Sequence, residues 1–152
     1  MSAHTDQEWL RGRASLGAAA QWTAEEMRVI ADLGYALAEQ GRDEEAVTVF
    51  EGLAALAPAT AYFRSALGAL KLRAGELEPA LAHLNAALAA DPADLAALTN
   101  RGEVYLLLGD RGAAIRSLET ALDLPLAQQP GNPVAVRARA LLNQTRGPAL
   151  LP

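Results

Sequence analysis

The sequence contains no cysteine, which removes disulfides, zinc ribbons, thiol nucleophiles and iron–sulfur ligation together. Histidine is almost as scarce: His4 and His83 stand far apart and make no metal-ligand spacing. Aromatic residues are 5% of the 152, and Val and Ile together supply only eight, far too few for a β-rich chain. No apolar run approaches the ~20 residues of a membrane span. Thirteen basic residues face 18 acidic ones, for a net charge of −5, which argues against wrapping a phosphate backbone. Met1-Ser2-Ala3-His4-Thr5-Asp6 has neither the basic start nor the apolar stretch of a signal peptide. The expectation is a cytoplasmic chain with no nucleic-acid partner and no membrane insertion. What the chain does have is helix formers: 35 alanines and 26 leucines predict an all-α fold with one continuous core.

Internal period decides the architecture. Gly34, Gly68 and Gly102 are spaced by 34 residues, as are Gly41, Gly75 and Gly109. Ala46, Ala80 and Ala114 keep the interval, and so do Phe50, Leu84 and Leu118. Pro58 and Pro92 follow it, and the third proline shifts by one to Pro125. At these columns the chain resembles the tetratricopeptide repeat, a helix–turn–helix unit of 34 residues. The resemblance covers three units, about 27–60, 61–94 and 95–126. It implies a right-handed α-solenoid over 24–126, with capping helices in the N-terminal extension 1–23 and the C-terminal segment 127–152. Ile30, Arg64 and Leu98 stand where the family usually carries a tryptophan.

The columns have physical reasons of their own. A glycine inside a helix costs roughly 0.5–1 kcal/mol against alanine, so Gly34, Gly68 and Gly102 predict a close approach of the paired helix, with Ala46, Ala80 and Ala114 as the small residues facing them. Gly41, Gly75 and Gly109 end each first helix in a left-handed conformation. Asp43, Glu44, Glu45, Glu76, Glu78 and Asp110 cluster where second helices begin, complementing the helix dipole. Asp91-Pro92 reads as an N-cap and first-turn proline for the third unit. Each helix, about 12–16 residues long, is marginal alone in water, so stability must come from stacking unit on unit.

At the N-terminus, Thr5 with Glu8 makes a capping box, and Trp9, Arg13, Leu16 and Ala20 follow at helical spacing over residues 5–20. Projected back one period, Gly12, Leu16 and Ala19 precede Ala46, Phe50 and Leu53, which suits a solitary second helix capping the stack. Thr23 with Glu26 forms another capping box and starts the first unit. Beyond Leu122, residues 125–131 read as a loop. Asn132-Pro133 then opens a last helix to about Gln144, with Val134, Ala138, Leu141 and Leu142 on one face. Residues 147–152 are expected to be a tail without fixed structure.

Nothing in this pattern looks catalytic, and no cofactor is expected: the glycines fall singly in repeat columns, and adjacent pairs such as Glu44/Glu45 do not converge. His83 reads as a partly exposed helix residue. The remaining chemistry is a surface. Solenoids of the resembled family line a concave groove with their first helices, which places there Arg28, Ala31, Asp32, Tyr35 and Ala38 from the first unit. Tyr62, Ser65, Ala66, Ala69 and Leu72 follow from the second, and Ala96, Thr99, Asn100, Glu103 and Leu106 from the third. Such a trough suits an extended peptide. Repeat proteins that hold the terminal carboxylate of heat-shock chaperones use lysine, asparagine and arginine at positions matching Ala31, Tyr35, Ala66, Ala96 and Asn100. Only Asn100 fits, so no paired cation is expected there for a peptide carboxylate.

The whole layout (N-terminal extension, three units, Pro/Gly connection, last helix) resembles the class II chaperones of type III secretion. That resemblance implies a cytosolic chaperone cradling an extended segment of a translocator client, and self-association as a homodimer through the N-terminal helix. Tyr62-Phe63 is similar to an aromatic pair of that family. Of Ala31, Tyr35 and Ala38, where the family's groove favours aromatics, Tyr35 agrees. The other expectation is a scaffold acting in assembly through Trp9, Leu16 and Trp22, or through Val134 and Leu141.

Overall fold

The computed structural model describes residues 22–147. The expected helix over residues 5–20, with Trp9 and Leu16, and the tail 148–152 lie outside the described residues. Seven α-helices follow one another among those residues: α1 Ala24–Glu39, α2 Asp43–Leu56, α3 Ala61–Arg73, α4 Leu77–Ala90, α5 Leu95–Leu107, α6 Arg111–Asp123 and α7 Pro133–Arg146. They pair as hairpins α1/α2, α3/α4 and α5/α6, and each hairpin's second helix packs on the first helix of the next. This is the expected α-solenoid.

Helix boundaries follow from local chemistry. The Thr23/Glu26 capping box opens α1. Each first helix ends at a glycine with positive φ, +76° at Gly41 and Gly75 and +83° at Gly109, a conformation that costs a residue with a side chain about 1–2 kcal/mol. The cap of α5 differs from expectation. Asp94, not Asp91, accepts from the Ala97 N–H, while Asp91 closes α4 and accepts from Ala93 in the turn. Starting α5 at Leu95 points Leu95 and Leu98 into the core at 3% and 2% exposure, so burial selects the later of two competent aspartates. Asp110 caps α6 through the Ala113 N–H. Asn132 caps α7 through Val134 and Ala135, with Pro133 in the first turn as expected.

Close approach within each hairpin is real, but the facing residue is a larger one. A Cβ on Gly68 would stand 2.5 Å from Leu84, one on Gly102 2.6 Å from Leu118, and one on Gly34 2.8 Å from Phe50. The glycine column therefore receives the Phe50, Leu84 and Leu118 side chains, all fully buried, while Ala46, Ala80 and Ala114 are buried beside it. A missing Cβ on one helix makes room for a large side chain from the other.

The C-terminal region departs from the plain loop and lid of the sequence reading. Residues Pro125–Gln128 form one turn of 3-10 helix. Helix α7 buries Ala135, Ala138, Leu142 and Thr145, with Val134 and Leu141 at the margin. It packs on both α6 and α5, as α5 packs on α4 and α3, so α7 takes the position of a first helix in an incomplete fourth unit.

Candidate peptide groove

First helices carry the concave face because second helices occupy the other side of each hairpin. Tyr35 on α1 and Tyr62 on α3 bridge adjacent units with ring centroids 5.8 Å apart. Each is held from behind: Tyr35 meets the Phe50 ring edge-on at 5.1 Å, and Tyr62 meets Phe63 at 5.7 Å. The four rings form a ladder whose outer two are buried while Tyr35 and Tyr62 stay 37% and 48% exposed. Burial pushes the Tyr35 hydroxyl well above its ordinary range, and the neighbouring Tyr62 adds to it; at neutral pH the Tyr35 ring presents neutral, amphipathic surface.

Three hollows run along this face. A first of about 400 Å³ lies between α1 and α3 and is lined by Met27, Arg28, Ala31, Asp32, Tyr62 and Phe63 among others. The central one, about 350 Å³, is floored by Tyr35, Ala38, Phe50, Ser65, Ala66 and Ala69, with Tyr62, Asp94, Ala96 and Asn100 at its sides. A third, about 460 Å³, is bounded by Ala69, Leu72, Arg73, Asn100, Glu103, Leu107 and Arg137. Tyr62 is shared by the first two; Ala69, Arg73 and Asn100 are shared by the last two. The hollows are therefore successive stations of one trough, apolar at its start and centre and polar at its end.

Most residues picked from the sequence stripe come together here. Arg28, Ala31 and Asp32 line the first hollow, Tyr35, Ala38, Ser65 and Ala69 the second, and Leu72 and Glu103 the third. Two do not. Thr99 is 0% exposed, with its hydroxyl donating to the Leu95 carbonyl; it is an interior residue. Leu106 borders none of the three hollows, and Leu107, one residue on, takes its place at the third. Trp22, picked for self-association, stands 37% exposed just before α1.

The sequence reading placed Arg28 in the trough but missed Arg73 and Arg137. Arg137 comes from α7, donates to Asn100 Oδ1 at 2.7 Å and pairs with Glu103. Arg73 reaches Asp43 at 2.9 Å and the Ala38 carbonyl at 3.1 Å, tying the end of α3 to the turn between α1 and α2. Both polar groove residues of the third unit are thus already engaged. Arg73 carried no periodic signal; Arg137 stands one period after Glu103, in the column of Tyr35 and Ala69, but the repeats read from the sequence ended at residue 126.

On the opposite side, half-buried His83 approaches Arg64 with Nδ1 3.5 Å from the guanidinium. Burial first, then the charges of Arg64 and Lys71, hold the imidazole below its usual pKa. Arg64 fills the position where the repeat usually has a tryptophan, and α3 keeps its place in the stack.

The fold is the tetratricopeptide-repeat solenoid, and the tetratricopeptide repeat family profile matches residues 95–127. Comparison with curated protein sequences finds no match. Among solved structures, a type III secretion system complex from Aeromonas hydrophila is similar with a TM-score of 0.77 at 21% identity, over 94% of this chain and 95% of that one. PcrH from Pseudomonas aeruginosa is 25% identical, with a TM-score of 0.75 over 83% of this chain and 96% of its own. The Yersinia enterocolitica type III secretion chaperone SycD, in complex with a peptide of the translocator YopD, is 19% identical, with a TM-score of 0.73 over 82% and 95%.

Proposed function

We propose that the chain is a non-enzymatic peptide-binding module that holds an extended segment of a client protein in its concave trough, as a cytosolic chaperone of the type III secretion translocator kind. The observation that carries this reading is the half-exposed Tyr35–Tyr62 pair lining a trough continuous across three units. Rings buttressed by Phe50 and Phe63 offer rigid apolar surface at little entropic cost, and the small residues Ala38, Ala66 and Ala69 leave depth beside them for client side chains. An extended backbone laid along the stations would drop alternate side chains into them. The similarity to SycD, whose structure holds a translocator peptide, supports the client class.

The test begins with peptides selected from a random display library against the whole chain. Their affinity is then measured for the parent and for Tyr35→Ala/Tyr62→Ala, with circular dichroism as the check on folding. The expected result is a loss of at least about tenfold, equivalent to 1.4 kcal/mol, with helicity retained. Undiminished affinity would place binding elsewhere.

A further inference from the structure

The polar end of the trough holds hydrogen-bond donors that the molecule itself does not use up. Asn100 is only 8% exposed and borders both the central and the third hollow. Arginine has no acceptor, so the bond from Arg137 Nη1 at 2.7 Å fixes the Asn100 amide with Oδ1 toward α7. Nδ2 is thereby turned away from Arg137, and among the described residues it has no partner. It is not sealed off either, so it opens on the trough. Arg73, at the end of α3, spends Nε and Nη2 on Asp43 and the Ala38 carbonyl; its Nη1 has no partner among the described residues. Arg137 spends Nη1 on Asn100 and Nη2 on Glu103, which leaves its Nε over in the same sense.

Charge separates this station from the one before it. Glu39 and Asp94 border the central hollow against Arg73, whereas Arg73 and Arg137 border the third against Glu103. A carboxylate is therefore repelled at the centre and attracted at the end, where charged and amide donors stand ready for it. Leu72 and Leu107 also border the third hollow and offer apolar wall to the methylene stem of a side chain. We propose that the third hollow receives an aspartate or glutamate side chain of the client, with Arg73, Arg137 and Asn100 Nδ2 as its donors. Arg137 is also the positioning residue that keeps the Asn100 amide turned donor-outward. The cations missing from the columns weighed in the sequence thus come from the end of α3 and from α7. This assignment rests on the trough reading and adds a charge requirement to it: apolar anchors at Tyr35 and Tyr62, and an acid at fixed spacing toward α7.

Random peptides displayed with blocked ends, and in parallel with free C-termini, are selected on the full chain and on Arg73→Gln/Arg137→Gln, with circular dichroism as the check on folding. The parent is expected to select Asp or Glu at one fixed spacing from the apolar anchors in both libraries. The variant is expected to keep the anchors and lose the acid. Exchanging that acid for its amide in a synthetic copy of a selected peptide should weaken binding to the parent about tenfold and leave binding to the variant nearly unchanged. The exchange alters only the peptide, so its effect on the parent decides the matter even where the variant does not fold. Peptides that need Tyr35 and Tyr62 but carry no fixed acid would overturn the assignment and leave the trough reading standing. So would an equal loss on parent and variant, or a carboxylate preference confined to free C-termini. Peptides that ignore Tyr35 and Tyr62 would remove both readings.

Discussion

Gly68 shows how one absent methyl group sets the spacing of a hairpin. The site where its Cβ would stand lies 2.5 Å from Leu84, itself fully buried by its neighbours. Gly68→Ala gains about 0.5–1 kcal/mol of helix propensity and meets an overpacking cost of about 1–3 kcal/mol. Steric cost wins, and urea denaturation is expected to show a net loss of about 1–2 kcal/mol. Parental stability would mean that the hairpin yields freely at this contact. His83 makes a second prediction at this scale. Its pKa in the folded chain is lowered by burial and by Arg64 and Lys71. The unfolded chain therefore binds the proton more readily, and stability falls as pH drops below the ordinary value near 6.5. Partial exposure keeps the effect small. His83→Gln is expected to lose less Tm than the parent between pH 7 and pH 5.5; equal losses would rule the imidazole out as the cause.

Helices and their ends were legible to different depths. The capping boxes, the positive-φ glycines and the Asn132-Pro133 start could be read because their chemistry is local. The start of α5 could not, because Asp91 and Asp94 are both competent caps and only the burial of Leu95 and Leu98 chooses between them. Asp94→Ala is accordingly expected to cost about 1 kcal/mol in urea denaturation, and Asp91→Ala distinctly less; the reverse order would return the cap to Asp91. The groove stripe was legible where the 34-residue period holds, which is why Tyr35, Tyr62 and Ala69 fell into place. It failed by one position at Leu106 and by burial at Thr99, whose column is buried in every unit, at Ala31 and Ser65 as well. Arg137 stands one period after Glu103, beyond residue 126 where the third unit was taken to end, so the column was not carried on to it.

At the scale of the molecule, stability and binding both follow from hairpins stacked on hairpins. Helices of 13–16 residues are marginal alone, and the buried column Phe50, Leu84 and Leu118 anchors three separate core clusters instead of the one continuous core expected from composition. The same stacking sets first helices side by side and leaves the Tyr35–Tyr62 trough open at their junction, with Arg137 closing its polar end. Arg137→Ala frees Asn100 and Glu103 and is expected to change the preference of selected peptides at their residue nearest the third hollow while leaving the aromatic contacts intact; library selection against parent and variant reads this out. The central claim, that a client lies extended along the concave face, is tested most directly by photo-cross-linking in cells that express the chain natively. A photoreactive residue in place of Tyr62 is compared with one in place of Thr48, exposed on α2. The account predicts that Tyr62 captures one short segment of a client and that Tyr35→Ala in the same chain abolishes the capture. Capture from Thr48 alone, or capture from Tyr62 that ignores the loss of Tyr35, would contradict it.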